Sequence, residues 1–244
     1  MGKAWLVRPL DVGQIEQLSR SANVPNVVAQ LLLNRGIHHP DIVSEFLAAR
    51  LNKLRDPELL PGLAAAADQI HAAVTAGEKI TIYGDYDADG MTGTSILLRC
   101  LRLISANVDF YIPHRMNEGH GLRTNTLERL QQQGISLVIS VDCGITGVAE
   151  TRKAQKKGLD IIVTDHHTPL EEIPSAVAVV DPKLPDSRYP FSELAGVGVA
   201  FKLLQAVMQS LGKDGAADQL IDLVALGTVA DMMPLLEENR YLVK

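Results

Sequence analysis

Cysteine is scarce in this 244-residue sequence, with only Cys100 and Cys143 present. Two thiols build neither a disulfide framework nor a cysteine-rich zinc site, and they fit a reducing cytoplasm. Aromatic residues make up 4% of the chain, and the abundance of Ala, Leu, Val and Ile suits an α/β protein better than a β-sandwich. Long apolar runs are missing too. The stretch 96–104 is interrupted by Arg99 and Arg102, so nothing reads as a membrane span. Residues 1–11 lack the apolar core of a signal peptide. Gly2 is followed by Leu6, which breaks the myristoylation pattern. These absences lead to the expectation of a soluble, cytoplasmic protein without a membrane partner. A basic excess is also absent: 23 Lys+Arg stand against 29 Asp+Glu, a net charge of −6. The overall field therefore disfavours broad binding to phosphate backbones, while leaving room for a local groove. No Walker Lys-Ser/Thr and no Gly-x-Ser-x-Gly elbow occurs, which disfavours ATP binding and serine-hydrolase chemistry.

The remaining composition is globular, 46% hydrophobic and 21% charged. Such a chain buries enough apolar surface to offset its ordering entropy. Residues 1–76 read as a helical N-terminal segment broken at Pro25, Gly36, Pro40, Pro57 and Pro61. Asp11 is placed to N-cap the first helix. Further helices are expected over 27–34, 41–51 and 64–76, the last closed by Gly77. Nothing in this segment has the spacing of a chemical site. From residue 77 to 244 strand-like and helical runs alternate. Strands are expected over 79–83, 108–112, 137–141, 159–164 and 176–180. Helices are expected over 91–104, 124–133, 147–157, 200–211 and 218–230. Alternation with near-continuous apolar strands predicts an α/β fold, a mostly parallel sheet with helices on both faces.

Three of these strands end in acidic or histidine-bearing turns. After the first comes Gly84-Asp85-Tyr86-Asp87-Ala88-Asp89-Gly90, after the third Asp142-Cys143-Gly144, and after the fourth Asp165-His166-His167. Asp231 follows the apolar helical run that ends at Ala230. Ligands of open parallel sheets bind at the carboxyl ends of the strands. Carboxylates gathered there without neighbouring Lys or Arg would repel one another. Divalent cations answer that repulsion, and a mixed carboxylate–imidazole set suits ions such as Mn²⁺, while all-oxygen sites favour Mg²⁺ or Ca²⁺. An Asp that bridges two ions places them roughly 3.5–4 Å apart, the geometry of two-metal phosphoryl hydrolysis. Each piece alone is ordinary: a turn, a surface His pair, a loop. Their common position at one sheet edge is what carries the reading. The Asp-x-Asp-x-Asp-Gly run imitates the start of an EF-hand, but loop position 12 is Ile96 rather than Glu, which excludes that calcium loop.

Cys143 reads as a packing residue beside Asp142, and Cys100 as core. The run Ala195-Gly196-Val197-Gly198 resembles a dinucleotide fingerprint, yet Phe201 occupies the third glycine position. Its glycines read as a tight start to the next helix, with backbone N–H groups available to a phosphate. Arg115, beside His114 and His120 in the loop after the second strand, reads equally as a residue that holds a substrate phosphate and as part of an ordinary surface loop.

The segments TIYGDYDADGMTGT, YIPHRMNEGHGL, VISVDCGI, IVTDHHTP, LAGVGVAFKLL and LVALGTVADMMPL together resemble the DHH phosphoesterase superfamily. The name reflects the Asp-His-His found here at 165–167. Within it the chain is similar to the RecJ-like single-stranded-DNA exonucleases. That resemblance implies two divalent ions, Mn²⁺ or Mg²⁺, held by Asp87, Asp89, Asp142, His166 and Asp231, with Asp142 as the bridge. It implies a catalytic group in which His167 meets the scissile phosphate or protonates the leaving oxygen and Asp165 supports the histidines. Asp85 stands where family II pyrophosphatases carry His, which favours the exonuclease branch. The implied reaction is metal-dependent hydrolysis of single-stranded DNA from the 5′ end, in repair and recombination. A single-stranded-DNA-binding protein or a helicase is the implied protein partner of the full-length enzyme. The alternatives are a small-substrate phosphoesterase (oligoribonucleotides, cyclic dinucleotides or pyrophosphate) and a DHH module that binds without catalysis. The intact Asp and His set argues against the last. Two departures stand out. His120 occupies a position where the family pattern expects Tyr, and no DHH-associated domain or OB-fold follows, so the chain reads as a catalytic core.

Overall fold

The computed structural model describes residues 11–104, 106–213 and 215–244. The N-terminal residues read above for targeting signals, apart from Asp11, lie outside the described residues. Two compact units divide at Met1–Lys53 and Leu54–Lys244. In the first, Asp11 caps α1 (Val12–Ala22) by accepting a hydrogen bond from Gln14 N at 3.0 Å. Asn23 closes the helix in the left-handed conformation. Helices α2 (Asn26–Leu33) and α3 (Pro40–Ala48) follow, the latter with Pro at its first position. Ile15, Leu18, Ala29, Leu32, Ile37 and Val43 form this unit's own core.

The second unit starts well before the boundary expected after residue 76. The reason is α4 (Leu63–Thr75), whose Leu63, Ala66, Ile70 and Ala73 are buried in the same cluster as the sheet. The remaining elements are β1 (Lys79–Tyr83), α5 (Ala88–Leu103), β2 (Asn107–Tyr111), α6 (Thr124–Gln132), β3 (Leu137–Val141), α7 (Val148–Gln155), β4 (Asp160–Thr164), β5 (Ala178–Val180), α8 (Gly196–Ser210), α9 (Ile221–Ala230) and α10 (Glu237–Val243). All strand pairs are parallel, in the order β2-β1-β3-β4-β5.

Alternation along the strands sorts the side chains into two layers. Ile80, Ile82, Leu137, Ile139, Val141 and Ile162 face a core built with α4, α5 and α8. Tyr83, Val138, Ile161 and Val163 face the opposite core, with Leu127 and Leu130 of α6 and Ala154 of α7. Both faces are covered, as the apolar strands predict. The chain leaves β1 toward β2 on one side and later toward β3 on the other. The carboxyl ends of β1 and β3 therefore flank the point where the winding reverses, where such sheets bind ligands.

Candidate metal centre

The turn after β1 is built around its own carboxylates. Asp87 is the N-cap of α5, its Oδ1 accepting from Gly90 N at 3.0 Å. That cap starts α5 at Ala88 rather than at the expected residue 91, and so carries Asp89 into the first helical turn. Asp89 is buried, and its two carboxylate oxygens accept from Gly196 N and Val197 N, each at 2.7 Å. Those amides belong to the N-terminus of α8, so the helix starts at Gly196 rather than at 200. Its free N–H groups meet a carboxylate of this chain, not the phosphate expected from the sequence. A residue larger than Gly is excluded at 196, because a Cβ there would lie 2.7 Å from Asp142 Cβ and Oδ1.

Asp142 follows β3 in the left-handed region, φ 60°, a strained backbone for a non-glycine residue. The turn sends its carboxylate into the cluster. His166 Nε2 lies 3.1 Å from Asp142 Oδ1, 3.6 Å from Asp231 Oδ2 and 3.8 Å from Asp89 Oδ2. Asp231 sits at the C-terminal cap of α9. Asp85 is buried, with Oδ2 3.3 Å from His120 Nδ1. Ligand atoms of Asp142, His166 and His167 gather within 4.8 Å of one another, as do those of Asp89, His166 and Asp231, and of Asp85, Asp87 and Asp142. The three groups overlap at Asp142 and His166.

Asp165 plays a different part. Its Oδ2 accepts from Ile145 N at 2.9 Å, and its Oδ1 accepts from the backbone N–H of His166 at 2.8 Å and of His167 at 3.2 Å. The same Oδ1 lies 2.7 Å from His167 Nδ1. Both oxygens face donors, so Asp165 orients the two histidines rather than the cluster. Burial pushes its pKa up, but the bond to His167 and the backbone amides outweigh it and hold the carboxyl below its usual range. In return the hydrogen bond to Asp165 raises His167 above the ordinary imidazole value. Asp142 shifts the opposite way. Burial first, then the charges of Asp89, Asp87 and Asp165, push it far above a normal carboxyl. Burial also raises Asp89, against the pull of its two amide bonds. His120 is raised by its bond to Asp85.

The buried atoms Asp85 Oδ1, Asp142 Oδ1 and His166 Nδ1 have no hydrogen-bond partner. Asp142 Oδ1 is near His166 but without hydrogen-bond geometry. Buried carboxylates left this way are costly, and the cost vanishes when a cation takes the lone pairs. A donor set of carboxylate oxygens and imidazole nitrogen fits Mn²⁺, with Mg²⁺ close behind.

Arg115 is not part of the cluster. Its guanidinium stacks on Tyr86 at 5.2 Å from the ring centroid, which sets a cation beside the Asp85–Asp87 turn. Cys143 and Cys100 are free, buried thiols in the two cores. Among the described residues, no helix is long and apolar enough to cross a membrane. Two contacts escaped the sequence reading. The α8 amides were expected to face a phosphate and instead hold Asp89, and the contact of His120 with Asp85 joins loops far apart in the chain.

The model of the DHH family, N-terminal domain, matches residues 79–228. The single-stranded-DNA-specific exonuclease RecJ of Bacillus subtilis is 44% identical over 238 residues, covering 98% of this chain and 30% of that protein. RecJ of Escherichia coli is 34% identical over 232 residues, covering 91% of this chain and 40% of its own. A crystal structure of exonuclease RecJ bound to manganese is 43% identical over 75% of this chain and 46% of that one, with a TM-score of 0.70. RecJ of Thermus thermophilus in complex with Mn²⁺ superimposes over 96% of this chain and 32% of that one, with a TM-score of 0.78 and 35% identity. The chain thus spans between 30% and 40% of the length of the two curated relatives named.

Proposed function

Because this chain belongs to the DHH family, we propose that it is the catalytic core of a metal-dependent nuclease that hydrolyses single-stranded DNA from the 5′ end, working in a reducing cytoplasm. The observation that carries this reading is the convergence of Asp87, Asp89, Asp142, His166 and Asp231 on overlapping groups with buried ligand atoms unpaired. These five residues would hold two divalent ions, Mn²⁺ or Mg²⁺, with Asp142 shared between them. Bound there, the ions would neutralise the phosphate and make water a nucleophile at neutral pH. The similarity to manganese-bound RecJ structures supports the same choice of metal.

The chain's own residues divide the rest of the work. His167 keeps a proton, because Asp165 holds its Nδ1 and raises its pKa. It is the general acid for the departing 3′-oxygen. Asp165, satisfied on both oxygens, fixes the ring while the substrate enters. Asp85 backs the rim of the cluster through His120. Arg115, exposed beside Tyr86, pairs with a substrate phosphate. Release of a 5′-mononucleotide leaves a new 5′-phosphate on the strand, so the same contacts serve each round.

Hydrolysis of a 5′-phosphorylated oligonucleotide, a dinucleotide, a cyclic dinucleotide and pyrophosphate should be compared with Mn²⁺ and after chelation. Mn²⁺-dependent release of mononucleotides from the single strand is the expected result. Exclusive cleavage of one of the small substrates would overturn the nuclease assignment. Binding of DNA without hydrolysis of any substrate would point to a non-catalytic module.

A further inference from the structure

The loop after β2 presents His120 in a way a loose surface loop does not. Gly119 and Gly121 on either side have φ of +70° and +89°, a left-handed pair that only glycines adopt readily. The backbone between them is pinned from two directions. Arg123 donates to His120 O at 3.0 Å, and Tyr83 OH, from the end of β1, donates to Gly121 O at 3.1 Å. The imidazole itself reaches back, with Nδ1 3.3 Å from Asp85 Oδ2. Its ring stands edge-on to His167, centroids 5.4 Å apart. His167 in turn is tied to Asp165 through Nδ1. Two imidazoles, each with Nδ1 turned to a buried aspartate, therefore stand side by side at the cluster, and among the described residues neither Nε2 has a hydrogen bond or ion pair. Both side chains are close to half exposed, 44% for His120 and 47% for His167, so a ligand can reach them.

We propose that His120 is a further substrate-contacting residue, whose Nε2 meets a phosphate oxygen of the 5′-phosphorylated nucleotide held beside His167. The carboxylate–imidazole pairing fixes the ring before the substrate arrives, which is how a site avoids ordering a side chain during binding. The inference rests on the nuclease reading and adds a residue to it. A purely structural role, in which His120 only satisfies Asp85, requires no free nitrogen and predicts no effect on substrate.

His120→Phe and His120→Ala separate these roles. Phe keeps an aromatic edge against His167 and removes both nitrogens, while Ala removes the ring. Each variant should lower kcat/KM on 5′-phosphorylated oligothymidylate by about tenfold to a hundredfold, the scale of one hydrogen bond to a charged group. Each should also weaken binding of thymidine 5′-monophosphate in Mn²⁺ by about tenfold, with Mn²⁺ stoichiometry unchanged. Phe behaving as wild type would overturn the proposal, because the ring shape rather than Nε2 would then suffice. Loss of a Mn²⁺ equivalent in either variant would overturn it too, by making His120 a ligand. A wild-type chain that cleaves DNA and binds the monophosphate, with both variants unaltered, would overturn this inference alone. A wild-type chain that does neither would overturn it together with the nuclease reading.

Discussion

Gly227→Ala tests whether helix packing sets the carboxylate cluster. Gly227 is buried in the middle of α9, one turn before Asp231, whose N–H donates to Gly227 O at 2.9 Å. A Cβ at this position would stand 2.4 Å from Thr92 Oγ1, 2.8 Å from Val197 Cγ1 and 3.1 Å from Asp89 Oδ1. The first contact falls about 1 Å short of ordinary van der Waals distance. Neither neighbour yields cheaply. The Thr92 hydroxyl donates to Ala88 O at 2.7 Å and reaches Asp89 O at 3.1 Å. Val197 is β-branched, fully buried, and lies in the first turn of α8, where its N–H holds Asp89. Helix propensity favours Ala over Gly by about 1 kcal/mol, whereas overpacking a tight interface costs about 1–3 kcal/mol. The two nearly cancel, so stability should fall by no more than about 2 kcal/mol.

The site has no such cancellation. To admit the methyl group α9 must back away from α5, carrying Asp231 away from His166 Nε2, now 3.6 Å from its Oδ2. Mn²⁺ affinity should therefore drop more than stability does. A tenfold loss of affinity removes about 1.4 kcal/mol of the stabilisation that saturating metal provides. Thermal unfolding with and without Mn²⁺, beside a calorimetric titration, reads both quantities. Gly13→Ala is the control, since its added methyl meets only Asp11 Oδ1 at an ordinary 3.5 Å. It should leave Mn²⁺ binding untouched. A Gly227→Ala chain with full Mn²⁺ affinity and an unchanged melting temperature would refute the packing argument.

Asp87→Asn keeps the α5 cap, since Asn caps as well as Asp, and removes one charge from the cluster. The metal-free protein should be as stable as wild type or more so, with a smaller melting shift in Mn²⁺; an identical shift would remove Asp87 from the ligand set. His166→Ala should weaken Mn²⁺ binding itself, while His167→Ala should keep the metal and slow hydrolysis by about 10²–10⁴-fold; equal metal loss in both would refute the division of labour. Asp142 and Asp89 hold protons above the ordinary carboxyl range because they are buried, so Mn²⁺ must displace protons and its affinity should rise with pH. For the same reason the metal-free fold binds more protons than the unfolded chain and should lose stability as pH rises through the raised values. Titrations in buffers of different ionisation heat count the released protons, and a count of zero would contradict the raised values. Lys202→Met should cost about 3–5 kcal/mol in urea unfolding, because it strands Glu238, buried and 2.7 Å from Lys202 Nζ; a loss below about 1 kcal/mol would show the pair to be dispensable.

The parts of the fold that the chain writes locally are the parts that could be read in advance. Apolar runs such as Lys79–Tyr83 and Leu137–Val141 are strands because both faces of the sheet are buried, and their neighbours in sequence say so. Elements set by distant partners were not legible. Helix α10 has no side-chain cap of its own. It is held by Glu238, which accepts from Arg55 N at 2.7 Å and bonds Tyr189 OH and Lys202. Asn239 adds a bond to Pro234 O at 3.1 Å. Helix α4 itself was expected over 64–76 and lies at Leu63–Thr75, but its burial against the sheet was not legible, since its Ala-rich sequence suits any exposed helix.

The candidate site follows that division with one instructive exception. The strand-end turns that carry Asp85, Asp87, Asp89, Asp142 and His166 were legible because the ends of parallel strands share one edge; Asp231 caps helix α9 instead, and the five-residue ligand set came from the family resemblance. What the sequence concealed is how a carboxylate is kept where it repels its neighbours. Asp89 supplies the missing cap of α8, and α8 supplies the amides that hold Asp89 beside Asp142. A helix N-terminus stabilises an anion in its first turn, so the start of α8 helps keep in place a charge that burial opposes. The glycines at 196 and 198 looked like a phosphate loop for the same reason: either anion needs bare backbone N–H at close range. The bonds from Gly196 N and Val197 N to Asp89 identify the anion as internal, and the close approach of Asp142 to Gly196, too tight for any Cβ, requires the glycine. The amides are thereby spent on assembling the cluster, which is why the proposed contacts to a substrate phosphate fall to His167, His120 and Arg115.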